Sequence, residues 1–369
     1  MTRQRVVFVT RKFPPQIGGM ELLSKQIVDV LSEAADLEVI ALKRSQAHLL
    51  WFLPFAAVRA AWLLSVDRDR QLVLGDGVVL AGLLPVAFLW GSRCHCLVMG
   101  LDLTYRAPGY RALVRMGLRS VARILAISRA TAREAQGLAP GARVELLRLG
   151  VAEPPPMDRR VAREALCAAH GIAPDCAILV SVGRLEARKG IDWFIREVLP
   201  LVEDEVVFLV AGSGPREPAI RQASEALARR GQVRFLGRVT EHEKNVLMSG
   251  ADVFVMPNIS VPGDMEGFGL VAIEAAMRGT PVLGADLEGI RDSVIPSKTG
   301  WLVEAQDPEV FAEVVRFVAQ NRAEMEQRRI SIRNYAAAHF SLDAMRQSLL
   351  ESLGIQDGSA DTTGDDDPR

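Results

Sequence analysis

The chain has 369 residues, 49% of them apolar and 24% charged, with a net charge of −1. That is length for about two domains, each with its own core. Ordinary glycine and proline contents (30 and 19) exclude collagen-like and low-complexity chains, and four cysteines without a zinc spacing exclude a disulfide scaffold or a zinc finger.

Met1 to Arg5 leads straight into an apolar strand, without the longer apolar run and cleavage site of a signal peptide, so a cytoplasmic protein is expected. Val6 to Thr10 is a β-branched run and reads as the first buried strand. Gly18-Gly19 opens a helical pattern from Met20 to Leu31, and Leu37 to Leu42 reads as the second strand. Gln71 to Leu74, Cys94 to Met99, Ile124 to Ile127 and, more weakly, Val144 to Leu147 continue the series. Cys94 and Cys96 alternate inside an apolar run and read as one face of a buried strand. Strands alternating with helices of 10–15 residues predict a parallel sheet covered on both faces.

Pro154-Pro155-Pro156 cannot join a helix or a central strand and marks a domain boundary. The alternation then restarts, with strands at Ala177 to Val182, Val206 to Val210, Val233 to Leu236, Asp252 to Met256 and Pro281 to Leu283. Helical patterns run from Pro308 to about Leu353. The expected organisation is a doubly wound domain over 1–150 and a second over 151–340. A final helix at 341–353 and a disordered acidic tail at 354–369 complete it, the tail holding five aspartates and one arginine.

The near-zero total charge hides a split: residues 1–150 carry 20 Lys+Arg against 11 Asp+Glu, a net of +9. No helix-turn-helix, zinc finger or RNP-type strand accompanies that excess, so nucleic acid is not an expected partner. Complementarity between the domains is one reading, and an anionic membrane surface is the other. Leu49 to Leu64 and Val78 to Trp90 are apolar but fall short of the roughly 20 residues that span a bilayer. Burial against a parallel sheet accounts for such segments. The first, with Trp51, Phe52, Phe55 and Trp62 beside Arg59, also suits docking at a membrane surface.

Three motifs carry chemistry. Glu266-Gly-Phe-Gly-Leu-Val-Ala-Ile-Glu274 follows a Pro/Gly-rich loop. Glu266 is expected at the mouth of a helix with Glu274 two turns inside it, about 12 Å along the axis at 1.5 Å per residue. That exceeds the roughly 5–9.5 Å of a glycosidase carboxylate pair, so the two would grip different parts of one long ligand. Gly267 and Gly269 leave amides open for a phosphate. Gly183-Arg184-Leu185 closes the first strand of the second domain, and Lys189-Gly190 opens the next helix. Arg184 and Lys189 thus fall where open α/β sheets bind ligands, with a planar fork and a point charge for phosphate oxygens. Phe13 to Glu21 holds the Gly18-Gly19 turn after the first strand. Neither this turn nor Gly212-Ser213-Gly214 completes G-x-G-x-x-G, so a nicotinamide dinucleotide is not expected. Asp67-Arg68-Asp69 lies at the amino end of a strand, away from any ligand end, and Asp365-Asp366-Asp367 lies in the tail. No metal and no other cofactor is expected.

In this order and spacing, over about residues 5–350, the motifs resemble glycosyltransferase family 4, the retaining transferases of GT-B fold. The resemblance implies two doubly wound, Rossmann-like domains facing each other across a cleft, with the final helix crossing back onto the first. It implies a retaining transferase that moves a sugar from a nucleotide-sugar donor to a sugar or lipid-linked acceptor, in polysaccharide or glycolipid synthesis. Arg184 and Lys189 would neutralise the departing diphosphate. Glu266 would hold donor-sugar hydroxyls with the backbone of Gly267, Phe268, Gly269 and Leu270. Glu274 would bind the ribose, and the Gly237-Arg238-Val239 turn the base. Gly18 and Gly19 would line the donor site, with the acceptor nearby. Met99 and Asp102, in Met99-Gly-Leu-Asp102, would touch acceptor or donor sugar. The family often has histidine where Met99 stands, and a thioether cannot donate a hydrogen bond. A catalytically silent partner and a nucleotide-sugar epimerase or hydrolase on the same architecture are the alternatives. Relatives that glycosylate lipid-linked acceptors imply peripheral attachment to the inner face of the cytoplasmic membrane.

Overall fold

A computed structural model of the chain describes residues 3–16, 18–105, 107–202, 205–226 and 231–356. The chain forms two units, one from Met1–Leu149 with Leu342 onward, the other from Gly150–Ser341.

The first unit is built on six parallel strands: β1 (Arg5–Thr10), β2 (Asp36–Ala41), β3 (Gln71–Leu74), β4 (Cys94–Val98), β5 (Arg123–Ala126) and β6 (Val144–Leu146). Their order is β2-β1-β3-β4-β5-β6. Val6 to Val9 and all of β4 are buried, as unbroken apolar runs require when helices cover both faces. Burial pushes the Cys94 thiol up to about 12. Burial, then the charge of Arg123, pulls the His95 imidazole down to about 4. These groups are core, not redox or metal chemistry.

The connections from β2 through to β6 all step in one direction along the sheet. Right-handed crossovers therefore stack the helices Leu49–Val66, Leu84–Trp90, Tyr110–Ser120 and Arg129–Leu138 on one face. The helix Gly19–Ala34 joins β1 to β2, steps the other way and covers the opposite face, where the helix Leu342–Leu353 packs against it. That last helix is tied to strand and loop residues. Arg123 donates to the Ser352 carbonyl (2.9 Å), Gln71 to the Leu353 carbonyl (3.2 Å), and the Arg148 amide to Ser348 Oγ (3.1 Å). Ile355, placed in the tail by composition, is buried, and its amide bonds to the Leu350 carbonyl at 2.9 Å. The remainder of the expected tail, 357–369, lies outside the described residues, and with it Asp365 to Asp367.

The second unit repeats the scheme with β7 (Ala177–Val182), β8 (Val206–Ala211), β9 (Val233–Gly237), β10 (Val253–Met256), β11 (Val282–Ala285) and β12 (Gly300–Val303), in the order β12-β11-β10-β7-β8-β9. β12 is absent from the sequence-based reading, and β11 runs two residues further than expected. β12 is a four-residue edge strand, half-buried except for Val303, and it opens on a glycine, so it shows neither an apolar run nor clean alternation. Asp252, just before β10, is buried and ties this unit together. It accepts from Arg159 (2.7 Å) and Arg163 (2.8 Å), both on the helix Arg159–His170, and from the Ile178 amide of β7 (2.8 Å).

Candidate active site

In a doubly wound sheet the ligand crevice opens at the carboxyl ends of the strands, where the strand order reverses. In the second unit that point lies between β7 and β10, which are hydrogen-bonded neighbours although three strands apart in sequence. The loop after β7 delivers Arg188 and Lys189, the loop after β10 delivers Asn258, Asp264 and Glu266, and the loop after neighbouring β11 delivers Glu288. Gly190 lets the first two loops meet. It sits at φ +62°, and a Cβ there would collide with the Pro257 carbonyl. The Ile259 amide then bonds to the Arg188 carbonyl at 2.9 Å.

Glu266 is the hub. Its buried carboxylate lies 2.5 Å from Lys189 Nζ and 3.4 Å from Arg188 Nε, and accepts from Asn258 Nδ2 at 3.1 Å. Arg188 also pairs with Asp264 at 2.8 Å. Burial would raise the Glu266 carboxyl, but the charges of Lys189 and Arg188 and the hydrogen bonds of Lys189 and Asn258 outweigh it and hold it below its ordinary value. The Glu266 amide in turn donates to Glu288 Oε2 at 2.5 Å. Burial, more than the neighbouring Glu266 charge, raises the Glu288 carboxyl, against the pull of that amide. Glu288 itself stands at φ +47°, a left-handed conformation uncommon outside glycine.

The site residues expected from sequence are placed as follows. Lys189 and Glu266 are in direct contact. Arg184 is exposed at the turn after β7 and pairs with Glu186 at 2.8 Å. Glu266 and Glu274 do not share a helix: the helix is Leu270–Ala276, and Glu266 to Gly269 is irregular. Gly269, at φ +88°, cannot continue a right-handed helix, so the helix starts after it. The helical rise assumed between the two carboxylates therefore does not apply. Phe268 is buried. Glu274 is buried too and pairs with Lys244 at 3.1 Å. Gly237 ends β9 at φ +68°, Arg238 is exposed and donates to Ser213 Oγ (2.8 Å), and Val239 packs at the edge of the core. Arg188, Asn258, Lys244 and Glu288 went unread in the sequence. Arg188 and Asn258 had a signal, since each lies at the carboxyl end of a predicted strand.

In the first unit the order reverses between β1 and β3. Gly18 precedes the helix Gly19–Ala34, and a Cβ on it would meet the buried Glu21 carboxylate, which pairs with Lys12 at 3.1 Å. Met99 is buried, and its amide donates to Asp102 Oδ1 at 2.9 Å. Asp102 Oδ2 accepts from the Gly77 amide at 2.7 Å, and the Asp102 carbonyl accepts from Tyr110 Oη at 2.7 Å. Asp102 therefore holds the loops after β3 and β4 together. Asp76 caps the helix Gly77–Gly82 and pairs with Arg11 at 2.7 Å. Burial, then the Asp76 charge, pushes the Asp102 carboxyl up from 3.8 to about 6, against the amides of Gly77 and Met99 and the charge of Arg11. Between about 4 and 6 the folded protein holds a proton on Asp102 that the unfolded chain has lost. This stabilisation, of the order of 3 kcal/mol for two units, is complete below pH 4 and lost as pH rises through 6. Carbon-detected NMR should show the Asp102 carboxyl titrating near 6, and a midpoint near 4 would contradict this.

Residues 162–337 match the family described as glycosyl transferases group 1. Over that segment, just under half of the chain, the second unit is similar to group 1 glycosyl transferases. Lys189, Glu266 and Glu274 all lie inside the matched segment. Among curated relatives, the D-inositol 3-phosphate glycosyltransferase 2 of Catenulispora acidiphila is 35% identical over 171 residues, which is 43% of this chain and 38% of the relative. The chain thus spans about two-fifths of that relative's length. Among solved structures, HepE of Anabaena in complex with UDP superposes with a TM-score of 0.74 at 16% identity, covering 95% of this chain and 99% of that one. WaaG, a glycosyltransferase involved in lipopolysaccharide biosynthesis, gives 0.69 at 16% identity, covering 94% and 99%. The fold of the chain is GT-B.

Proposed function

We propose that the protein transfers a sugar from a nucleotide-sugar donor to an acceptor hydroxyl, in the synthesis of a polysaccharide or glycolipid, with retention at the anomeric carbon and without a metal. The observation that carries this reading is the Lys189–Glu266–Arg188 cluster at the switch point between β7 and β10. HepE binds UDP, and WaaG takes part in lipopolysaccharide biosynthesis; both support a nucleotide donor and a glycan product. In this reading the bond between the anomeric carbon and the phosphate oxygen breaks first. Lys189, with Arg184 swung from Glu186, takes up the charge growing on the diphosphate. The acceptor oxygen bonds to the same face of the anomeric carbon, and its proton passes to the departing phosphate. Glu266, kept ionised by Lys189 and Arg188, accepts hydrogen bonds from donor-sugar hydroxyls. Glu274 accepts from the ribose.

Thermal unfolding in the presence of a panel of nucleoside diphosphates is the test. The matching base at a hundred times its dissociation constant should add about 2.7 kcal/mol of stability. The sugar nucleotide of that base, with EDTA present, should then give a glycoside of unchanged anomeric configuration by NMR. A panel without any stabilising member overturns the reading. Free sugar or an epimerised donor without acceptor points instead to a hydrolase or epimerase.

A further inference from the structure

We propose that the first unit docks on a lipid bilayer carrying anionic headgroups, through the face formed by the helices Leu49–Val66, Leu84–Trp90 and Tyr110–Ser120. The proposal is independent of the catalytic reading. These helices pack side by side on one face of the sheet. Together with the turn before it the first runs over Gln46–Val66, 21 residues, longer than the apolar stretch read from sequence and long and apolar enough to cross a membrane by composition, yet Phe52, Ala56, Ala60, Leu63 and Leu64 are locked in the sheet's core. A helix fixed in that way lies on a membrane rather than through it.

Its outer side is as apolar as its inner side. Trp51 is 83% exposed, and Phe55, Val58 and Trp62 follow it along the same helix. Phe88 and Leu89, the latter 73% exposed, extend the surface onto the next helix. An apolar surface running across neighbouring helices is far more than the scattered single residues of an ordinary exterior. Tryptophan and phenylalanine suit the headgroup boundary, where an apolar ring meets water at its edge.

The third helix supplies charge. Leu113 and Met116 are exposed on it between Arg111, Arg115 and Arg119. The three helices, 49–66, 84–90 and 110–120, contain no aspartate or glutamate, and the third alone carries three arginines. Arg59 stacks over Trp62 at 4.8 Å and pairs with Glu38 at 2.9 Å, so its charge is largely balanced locally. An apolar, aromatic surface bordered by the exposed Arg111, Arg115 and Arg119 is complementary to a bilayer with negative headgroups.

Co-sedimentation of the full chain with phosphatidylcholine vesicles, with and without phosphatidylglycerol, tests this at low and high salt. Binding is expected to the anionic vesicles at low salt, weakening as salt screens the arginines. Each arginine near such a surface is worth about fivefold in partitioning, so Arg111→Gln with Arg115→Gln and Arg119→Gln should lose about a hundredfold. Trp51→Ser with Phe55→Ser should lose at least tenfold, with unfolding temperature unchanged because both side chains are exposed. Wild-type protein also gives a readout without variants: its tryptophan fluorescence should be quenched by brominated acyl chains in anionic vesicles. Equal partitioning to both vesicle types, or variants that bind like wild type, overturns the proposal. So does a lipid-free dimer that the Trp51/Phe55 variant dissociates, which would make the face a contact between copies.

Discussion

Lys189→Ala should lower turnover at least a hundredfold, with a smaller change in the Michaelis constant for the donor. Removing one preorganised donor from the site of developing charge costs about 10²–10³ in rate in well-defined active sites, and a cation 2.5 Å from a buried carboxylate is at least as well fixed. The substitution also strips Glu266 of its nearest countercharge. Arg188, at 3.4 Å, and Asn258, at 3.1 Å, remain to hold the carboxylate, so the chain should still fold, with an unfolding free energy lower by a few kcal/mol. Steady-state kinetics beside a denaturant titration separate the two effects. Turnover near wild type, in a folded variant, would remove Lys189 from the leaving-group role. Stability lost without loss of turnover would make the Lys189–Glu266 pair a structural bridge.

The second large effect falls on the framework. Asp252→Ala should destabilise the protein by about 3–5 kcal/mol, the cost of breaking a buried ion pair and leaving its partner uncompensated. Arg163 is the partner at risk: it is buried, and Asp252 Oδ2 is its only carboxylate within 2.8 Å among the described contacts. The same oxygen takes the Ile178 amide, so the helix Arg159–His170 and strand β7 lose a common anchor together. In a unit of this size each kcal/mol moves the midpoint by about 2–4 °C, so the melting temperature should fall by about 6–20 °C. Asp252→Asn, which keeps an acceptor but not the charge, should fall between. A change under about 1 kcal/mol for the alanine variant would show that the Pro174 and Cys176 carbonyls, which Arg163 already bonds, suffice to hold its guanidinium.

Most of the framework was legible because parallel strands covered on both faces are written as unbroken β-branched runs. β1 and β8 could hardly be read otherwise. β12 shows the limit, since an edge strand of four residues starting on glycine has no pattern to read. In the site, Lys189 and Glu266 were legible through their position after strands, but their contact was not. It depends on β10 lying beside β7, a non-local pairing that local periodicity cannot encode. Glu288 was invisible for a related reason: only the order of β11 beside β10 brings its carboxyl to the Glu266 amide. The helix starts at Leu270 and not at Glu266 because Gly269, read only for its open amide, stands in a left-handed conformation that a right-handed helix cannot include.

The first unit is discontinuous in the chain. Its helix Leu342–Leu353 arrives only after the whole of Gly150–Ser341, while Val151 and Ser341, at the two ends of that insert, are bridged to one another. During synthesis the order of completion is therefore inverted. About 190 residues of the second unit emerge first, taking roughly 10–40 seconds at 5–20 residues per second, and can close on themselves while still attached to the ribosome. For that interval one side of the first unit's sheet is covered by the helix Gly19–Ala34 without the Leu342–Leu353 helix that packs against it. A chain halted before position 342 would thus leave a finished second unit joined to an unfinished first one, so the exposure to chaperones and proteases falls on the half that was made earlier.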